Sequence, residues 1–248
     1  MRRSLWLSLL VSAGILLAGA LVAIENVGAG DEGTANKEAR SIDEKQELQD
    51  ATDTMREIIG IPEEGIPQAL LSESAAVVVV PDVIKAGFVV GGRHGDGVMV
   101  VRTEDGSWSN PVFVELTGAS VGWQVGVEAT DIVLVFKNRD AAWKVLNGEF
   151  TLGADGSVAA GPVGRQASAG TGLKLDHEVY SYSRSRGLFA GVSIDGSKLS
   201  VNRDANARFY GEAYADANVL IAAKDLKAPS EAGAFVAELS KHTTKPGS

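Results

Sequence analysis

Between Ala75 and Lys137 nothing helical separates one strand-like run from the next, and this constrains the fold more than any other feature of the chain. Parallel neighbours need a crossover of a dozen or more residues, usually a helix, so consecutive strands without one must pair antiparallel. The first run, 76–80, is four valines after an alanine, ended by Pro81. Such a run suits a strand buried on both faces. Runs at 87–93, 98–103, 112–116, 121–128 and 132–137 follow, with Gly or Asp punctuation between them. Asp-Gly pairs stand at Asp96-Gly97, Asp105-Gly106, Asp155-Gly156 and Asp195-Gly196. Each is read as a hairpin turn, because both residues tolerate positive φ. No fixed period links the four, so they reflect turn chemistry rather than a repeat.

Helices flank this core. Residues 36–59 lack Gly and Pro and place Ile42, Leu48, Ala51, Met55, Ile58 and Ile59 near a helical period, with Gly60 and Pro62 as the stop. Shorter helices are predicted at 67–72, where Pro at the first turn is tolerated, and at 140–146, closed by Asn147-Gly148. Strands are expected again at 150–152, 158–162, 172–183, 190–194 and 199–201. A last helix is expected over 230–242, with Ser230 as N-cap and Ala234, Phe235 and Leu239 as its stripe. The predicted class is α+β: a predominantly antiparallel β core with an N-terminal helix, one short mid-chain helix and a C-terminal helix. Twenty-nine glycines against seven prolines agree with many tight turns and strand bends.

Residues 1–29 read as an export signal. Arg2 and Arg3 precede an uncharged run over 4–24, and Ala18-Gly19-Ala20 and Val27-Gly28-Ala29 offer small residues for a signal peptidase. The run is also long enough to stay as an anchor in the cytoplasmic membrane, since about 20 apolar residues span a bilayer. Both readings carry the rest of the chain across the membrane, into a periplasmic or other extracytoplasmic space.

The net charge of −9 belongs to one segment. From Gly30 to Ser74 twelve acidic residues face four basic ones, whereas the body is almost neutral. Nucleic acid is excluded as a partner, because it requires a basic face. The absence of cysteine excludes disulfides, a thiol nucleophile, thiolate metal sites and a lipidated N-terminal cysteine.

Several stretches then carry a resemblance. Val83-Ile84-Lys85-Ala86-Gly87-Phe88-Val89-Val90-Gly91-Gly92-Arg93 is followed by Gly97-Val98-Met99-Val100 and Trp108-Ser109-Asn110-Pro111. After residues 122–131 come Phe150-Thr151-Leu152-Gly153 and Gly161-Pro162-Val163-Gly164-Arg165. Residues 180–191, with Tyr180, Tyr182, Arg184 and Arg186, lead to Asn206 and Phe209-Tyr210-Gly211. In this order they resemble the SYLF domain, over roughly residues 60–211. Residues 30–59 then form an acidic spacer and helix, and 212–248 a C-terminal extension with a helix.

The resemblance implies binding rather than catalysis, and no cofactor. The family includes yeast actin-binding proteins, phosphoinositide-binding animal proteins and many exported bacterial members, and this chain is read as one of the last. Eukaryotic members bind acidic phospholipids, with a basic amphipathic N-terminal helix credited for much of it. Here residues 36–59 carry seven acidic and four basic residues, so attraction to an anionic surface through that helix becomes repulsion. An exported chain meets no actin, so that activity is not carried over. The expected partner is a phospholipid or membrane surface, or, as the alternative, an envelope protein to which the chain is a scaffold. In that alternative the acidic helix docks a basic protein or packs back on the body.

The candidate lipid contacts are cations. Arg184 and Arg186 share a face of one strand, since residues two apart point the same way, and paired guanidiniums suit phosphate. Arg93 and His94 are placed at a turn within 91–97, which leads into a strand and so is no nucleotide loop. Lys85 and Arg165 are companions. Trp108 with Pro111 reads as core packing or as a carbohydrate platform, and Trp123 and Trp143 as core or interface aromatics. His94, His177 and His242 have no metal-ligand spacing, and no nucleophile elbow is present, so neither a catalytic residue nor a metal site is assigned.

Overall fold

A computed structural model describes residues 31–59, 65–162, 176–185, 188–189 and 194–243. The export segment 1–29 lies outside them. Two compact units divide the chain, residues 1–38 and 39–248. The elements in chain order are α1 (Asp31–Ile59), α2 (Gln68–Glu73), β1 (Ala76–Val101), β2 (Val112–Phe136), α3 (Arg139–Asn147), β3 (Glu149–Thr151) and β4 (Val158–Ala160). After them come β5 (Val179–Ser185), β6 (Leu188–Phe189), β7 (Lys198–Val201), α4 (Arg203–Tyr210), a 3₁₀ turn (Glu212–Tyr214), α5 (Ala217–Ala222) and α6 (Ser230–Thr243). No described helix is long and apolar enough to cross a membrane.

The α+β class with a mainly antiparallel core is what the structure contains. The runs read as six separate strands are two, however. β1 and β2 pair continuously from Ala76 opposite Phe136 to Met99 opposite Val112. Pro81 does not end its strand. The register slips between Val80 and Val83, Asp82 takes a φ of 46°, and its N–H donates to Asp131 Oδ1 at 3.1 Å. This is a bulge that absorbs the missing proline donor. Asp96-Gly97 is not a turn either, for both residues lie in β1 opposite Glu115 and Val114. Asp105-Gly106 and Asp195-Gly196 are turns, with φ of 83° and 75° at their glycines. The turn at Asp155-Gly156 instead takes its positive φ, 87°, at Gly153.

β1 doubles back so that its end lies against its start. The Arg102 N–H donates to the Ala75 carbonyl at 2.8 Å, and a Cβ placed on Gly97 would come within 2.3 Å of the Val79 carbonyl oxygen. Glycine is there for close approach, not for positive φ. The far edge of β2 is shared by β7, at 114–117, and β5, at 131–136. β3 extends β7, and β4 adds to β5 in parallel.

Both faces of this sheet are buried where 76–80 pairs with 132–136, which explains valine runs without polar alternation. On one face Val78, Val80, Leu134 and Phe136 meet Val145 of α3 and Leu220 of α5. On the other, Val77, Val79, Val133 and Val135 are covered by α1, α2, α4 and α6. Two of these helices, α4 and α5, were not anticipated. Each is started by a side chain that accepts an orphan amide: Asn202 from Ala205 N and Asp216 from Asn218 N.

Candidate functional site

α1 buries Leu48, Ala51, Met55 and Ile58 completely, a stripe with helical spacing that faces the sheet. Two of its acidic residues, Glu44 and Glu57, lie where arginines of the body reach them. Arg208 Nε of α4 donates to Glu44 Oε1 at 2.6 Å. Arg184 Nη1 of β5 donates to Glu57 Oε2. On the far side Arg56 of α1 lies 3.5 Å from Glu238 Oε2 of α6. Glu238 sits below the ordinary carboxylate range, chiefly because Lys241 donates to it, with His242 and Arg56 adding to the effect. Residues 44–58 of the acidic helix thus pack back on the body, one of the two placements considered for it.

The four described candidate cations lie on two strands, Lys85, Arg93 and His94 on β1 and Arg184 on β5. Arg184 lies on the face that α1 covers, as its alternation with Tyr180 and Tyr182 requires, and both tyrosines are buried. Its hydrogen bond goes to Glu57 of the helix. Arg186 and Arg165 lie outside the described residues. Arg93 and His94 stand within β1, opposite Gly118 and Thr117, rather than at a turn. Arg93 is half-buried, which lowers its pKa, and Nη1 donates to Ser197 Oγ at 3.4 Å. The exposed His94 ring is 3.5 Å from both Asp96 Oδ2 and Glu115 Oε1. Lys85 is opposite Glu128, next to Ile84.

Among the described residues, three large apolar ones are exposed: Ile84 at 50%, Val219 at 49% and Trp143 at 36%. Trp143 therefore belongs to the surface. Trp108 is core: Arg102 stacks over its ring at 4.1 Å, and its indole N–H donates to Thr243 Oγ1 at 3.1 Å. At 9% exposed the Trp108 ring is core rather than a carbohydrate platform, and Trp123's side chain lies outside the described residues. Among the described residues no group of three or more His, Asp or Glu side chains is arranged to hold a metal. Arg208, Glu44 and Glu57 were missed in the sequence, where nothing local distinguishes a carboxylate with a remote partner from a solvated one.

Residues 117–242, just over half of the chain, match the family model described as Ysc84, Las17-binding protein actin regulator. LAS seventeen-binding protein 3 of Saccharomyces cerevisiae is 41% identical over 150 residues, which cover 59% of this chain and 32% of that protein. SH3 domain-containing YSC84-like protein 1 of Rattus norvegicus is 33% identical over 208 residues, 81% of this chain and 60% of its own length. Its Homo sapiens counterpart is 36% identical over 173 residues, 67% and 50% respectively. The chain spans about a third of the yeast relative and 50–60% of the mammalian ones.

Proposed function

This chain belongs to the SYLF family, the one described by the Ysc84 model, and from that premise we propose that it is a non-enzymatic module that binds a phospholipid surface at the cell envelope. The observation that carries the reading is Ile84, half exposed on β1 and followed directly by Lys85. An exposed apolar residue gains from burial at the headgroup boundary, and a cation on the neighbouring position of the same strand, on its other face, adds attraction to anionic lipid. Lys85, Arg93 and His94 all lie on β1, whereas Arg184 is engaged by Glu57. The α1 stripe is spent on the sheet, so the helix does not insert while docked. Export of the chain, with residues 1–29 as a cleaved signal or a retained anchor, belongs to the same proposal. The mature N-terminus, read by mass spectrometry, tests it.

Co-sedimentation with vesicles of phosphatidylglycerol and phosphatidylcholine tests the lipid reading. Protein lacking residues 1–29 is expected to sediment, and Ile84→Asn with Lys85→Glu to remain in solution. Absence of sedimentation with any anionic fraction overturns the proposal.

A second reading, an envelope scaffold that binds a protein, is favoured by Trp143 and Val219. These exposed apolar residues belong to α3 and α5, whose Asn147 and Asn218 side chains are bonded at 3.0 Å. Aromatic anchors of this kind dominate protein contacts. Actin regulation is in the description of the matched family; an exported chain has no access to actin, and sedimentation with filaments serves as the control.

A further inference from the structure

α1 carries more carboxyl groups into its contact with the body than the facing arginines satisfy. Glu44 is 2% exposed; its Oε1 takes the Arg208 bond, while its Oε2 is buried without a hydrogen-bond partner. Glu47, one turn further on, buries its Oε1 without a partner as well. Asp96 of β1 acts on Glu47 from the body, Glu44 and Asp50 from its own helix, and Arg208 of α4 is the cation that opposes them. Asp96 in turn has His94 at 3.5 Å. Glu44 and Glu47 therefore lie under the influence of one guanidinium, that of Arg208, with Asp96 near enough to Glu47 to oppose it. Glu47 is partly exposed, and a carboxylate that buries one oxygen without a partner, beside other carboxylates, is biased towards keeping its proton.

We infer that α1 is a latch held shut by the proton on Glu47: residues 43–59 dock with Glu47 as the neutral acid, and release of that proton to solvent frees them from the sheet and uncovers Arg184 and Arg208. Burial in the first place, then Asp96 and Glu44, push the Glu47 carboxyl up to about 9 in the docked state. In the undocked helix it returns to about 4.3, the value for a solvated Glu. A group whose pKa is raised on docking contributes fully below the lower value, and that contribution is lost as pH rises towards the higher one. The latch is thus tightest in acid and loosens through neutrality, with no further change once both states are ionised.

The apolar stripe makes the latch discrete. Leu48, Ala51, Met55 and Ile58 leave together or not at all, because a packed face tolerates no intermediate separation. Opening presents an apolar sheet face flanked by two arginines, a surface for an acidic amphipathic segment such as α1 itself.

Amide hydrogen exchange on the full chain between pH 6 and 9, corrected for intrinsic rates, tests the latch. Protection of residues 44–58 is expected to fall about tenfold per pH unit relative to the sheet amides of 77–80 and 132–136. Glu47→Gln keeps the size and removes the charge, and is expected to abolish that slope. Asp96→Asn, at an exposed position, is expected to protect the helix more than wild type at pH 8 because one opposing charge is gone. Helix protection that stays level with that of the sheet at every pH overturns the latch. So does a wild-type slope in Glu47→Gln, or unchanged protection in Asp96→Asn.

Discussion

Arg208 Nε and Glu44 Oε1 meet at 2.6 Å although 164 positions separate them in the chain. The Glu44 side chain is 3% exposed and that of Arg208 28%, so the pair is buried at its acidic end and wet at its basic end. Such a pair acts less as a source of stability than as a condition on it, because the carboxyl group cannot remain in place alone.

Arg208→Met is therefore expected to destabilise the protein by about 2–3 kcal/mol, at or below the low end for a broken buried pair because the guanidinium keeps part of its hydration. Glu44→Leu combined with Arg208→Met is expected to recover most of that loss. Urea unfolding midpoints of the two single variants and the double variant give the comparison.

Glu57 and Arg184 form the opposite case, since the Glu57 side chain is 56% exposed. Glu57→Gln is expected to cost less than about 1 kcal/mol and to be indistinguishable from wild type in high salt, where an exposed pair is screened. Thermal melts at low and high ionic strength check both statements.

Gly97→Ala is expected to destabilise by about 1–3 kcal/mol or more, an overpacking cost. The added methyl meets the Val79 carbonyl and the Val80 Cα, which are backbone and cannot rotate away. Gly148→Ala, with nothing within 4 Å of the new Cβ, is the matched control and is expected to show no overpacking cost. Chemical denaturation of both separates crowding from the generic effect of losing a glycine.

Tyr182 and Tyr210 are buried enough that desolvation drives both phenols well above their ordinary range. The raised values mean that the contribution of these neutral phenols is intact below about pH 10 and is lost as pH rises beyond it. Ultraviolet titration is expected to show part of the phenolate signal appearing only together with unfolding. Tyr182→Phe and Tyr210→Phe should each reduce that late component.

Much of the fold was legible because period and composition act locally. The α1 stripe of Leu48, Ala51, Met55 and Ile58, the α6 stripe and the antiparallel valine runs follow from spacing, while α2 and α3 were marked by Pro67 and by Asn147-Gly148. Pro81 misled because a bulge with Asp82 at positive φ can carry a strand past a proline. Asp96-Gly97 misled because glycine has two uses, and only the folded chain shows that Val79 is what Gly97 makes room for. α4 and α5 were lost because their caps, Asn202 and Asp216, precede helices of eight and six residues, too short for a periodic signal. At the candidate site, strand alternation places Arg184 on the face of the buried Tyr182. It could not reveal that a helix more than a hundred residues upstream lies over that face.

α1 rests on a bed that α6 completes: Phe235 and Leu239 share its core, and Glu238 reaches back to Arg56. A ribosome delivers the first of these helices long before the last, so α1 has no finished seat until residues 230–243 have been made. Its apolar side must stay exposed, or be held by a chaperone, throughout that interval. A frameshift or truncation that removes residues 230–243 would consequently be felt at the opposite end of the polypeptide, as an N-terminal helix that never settles.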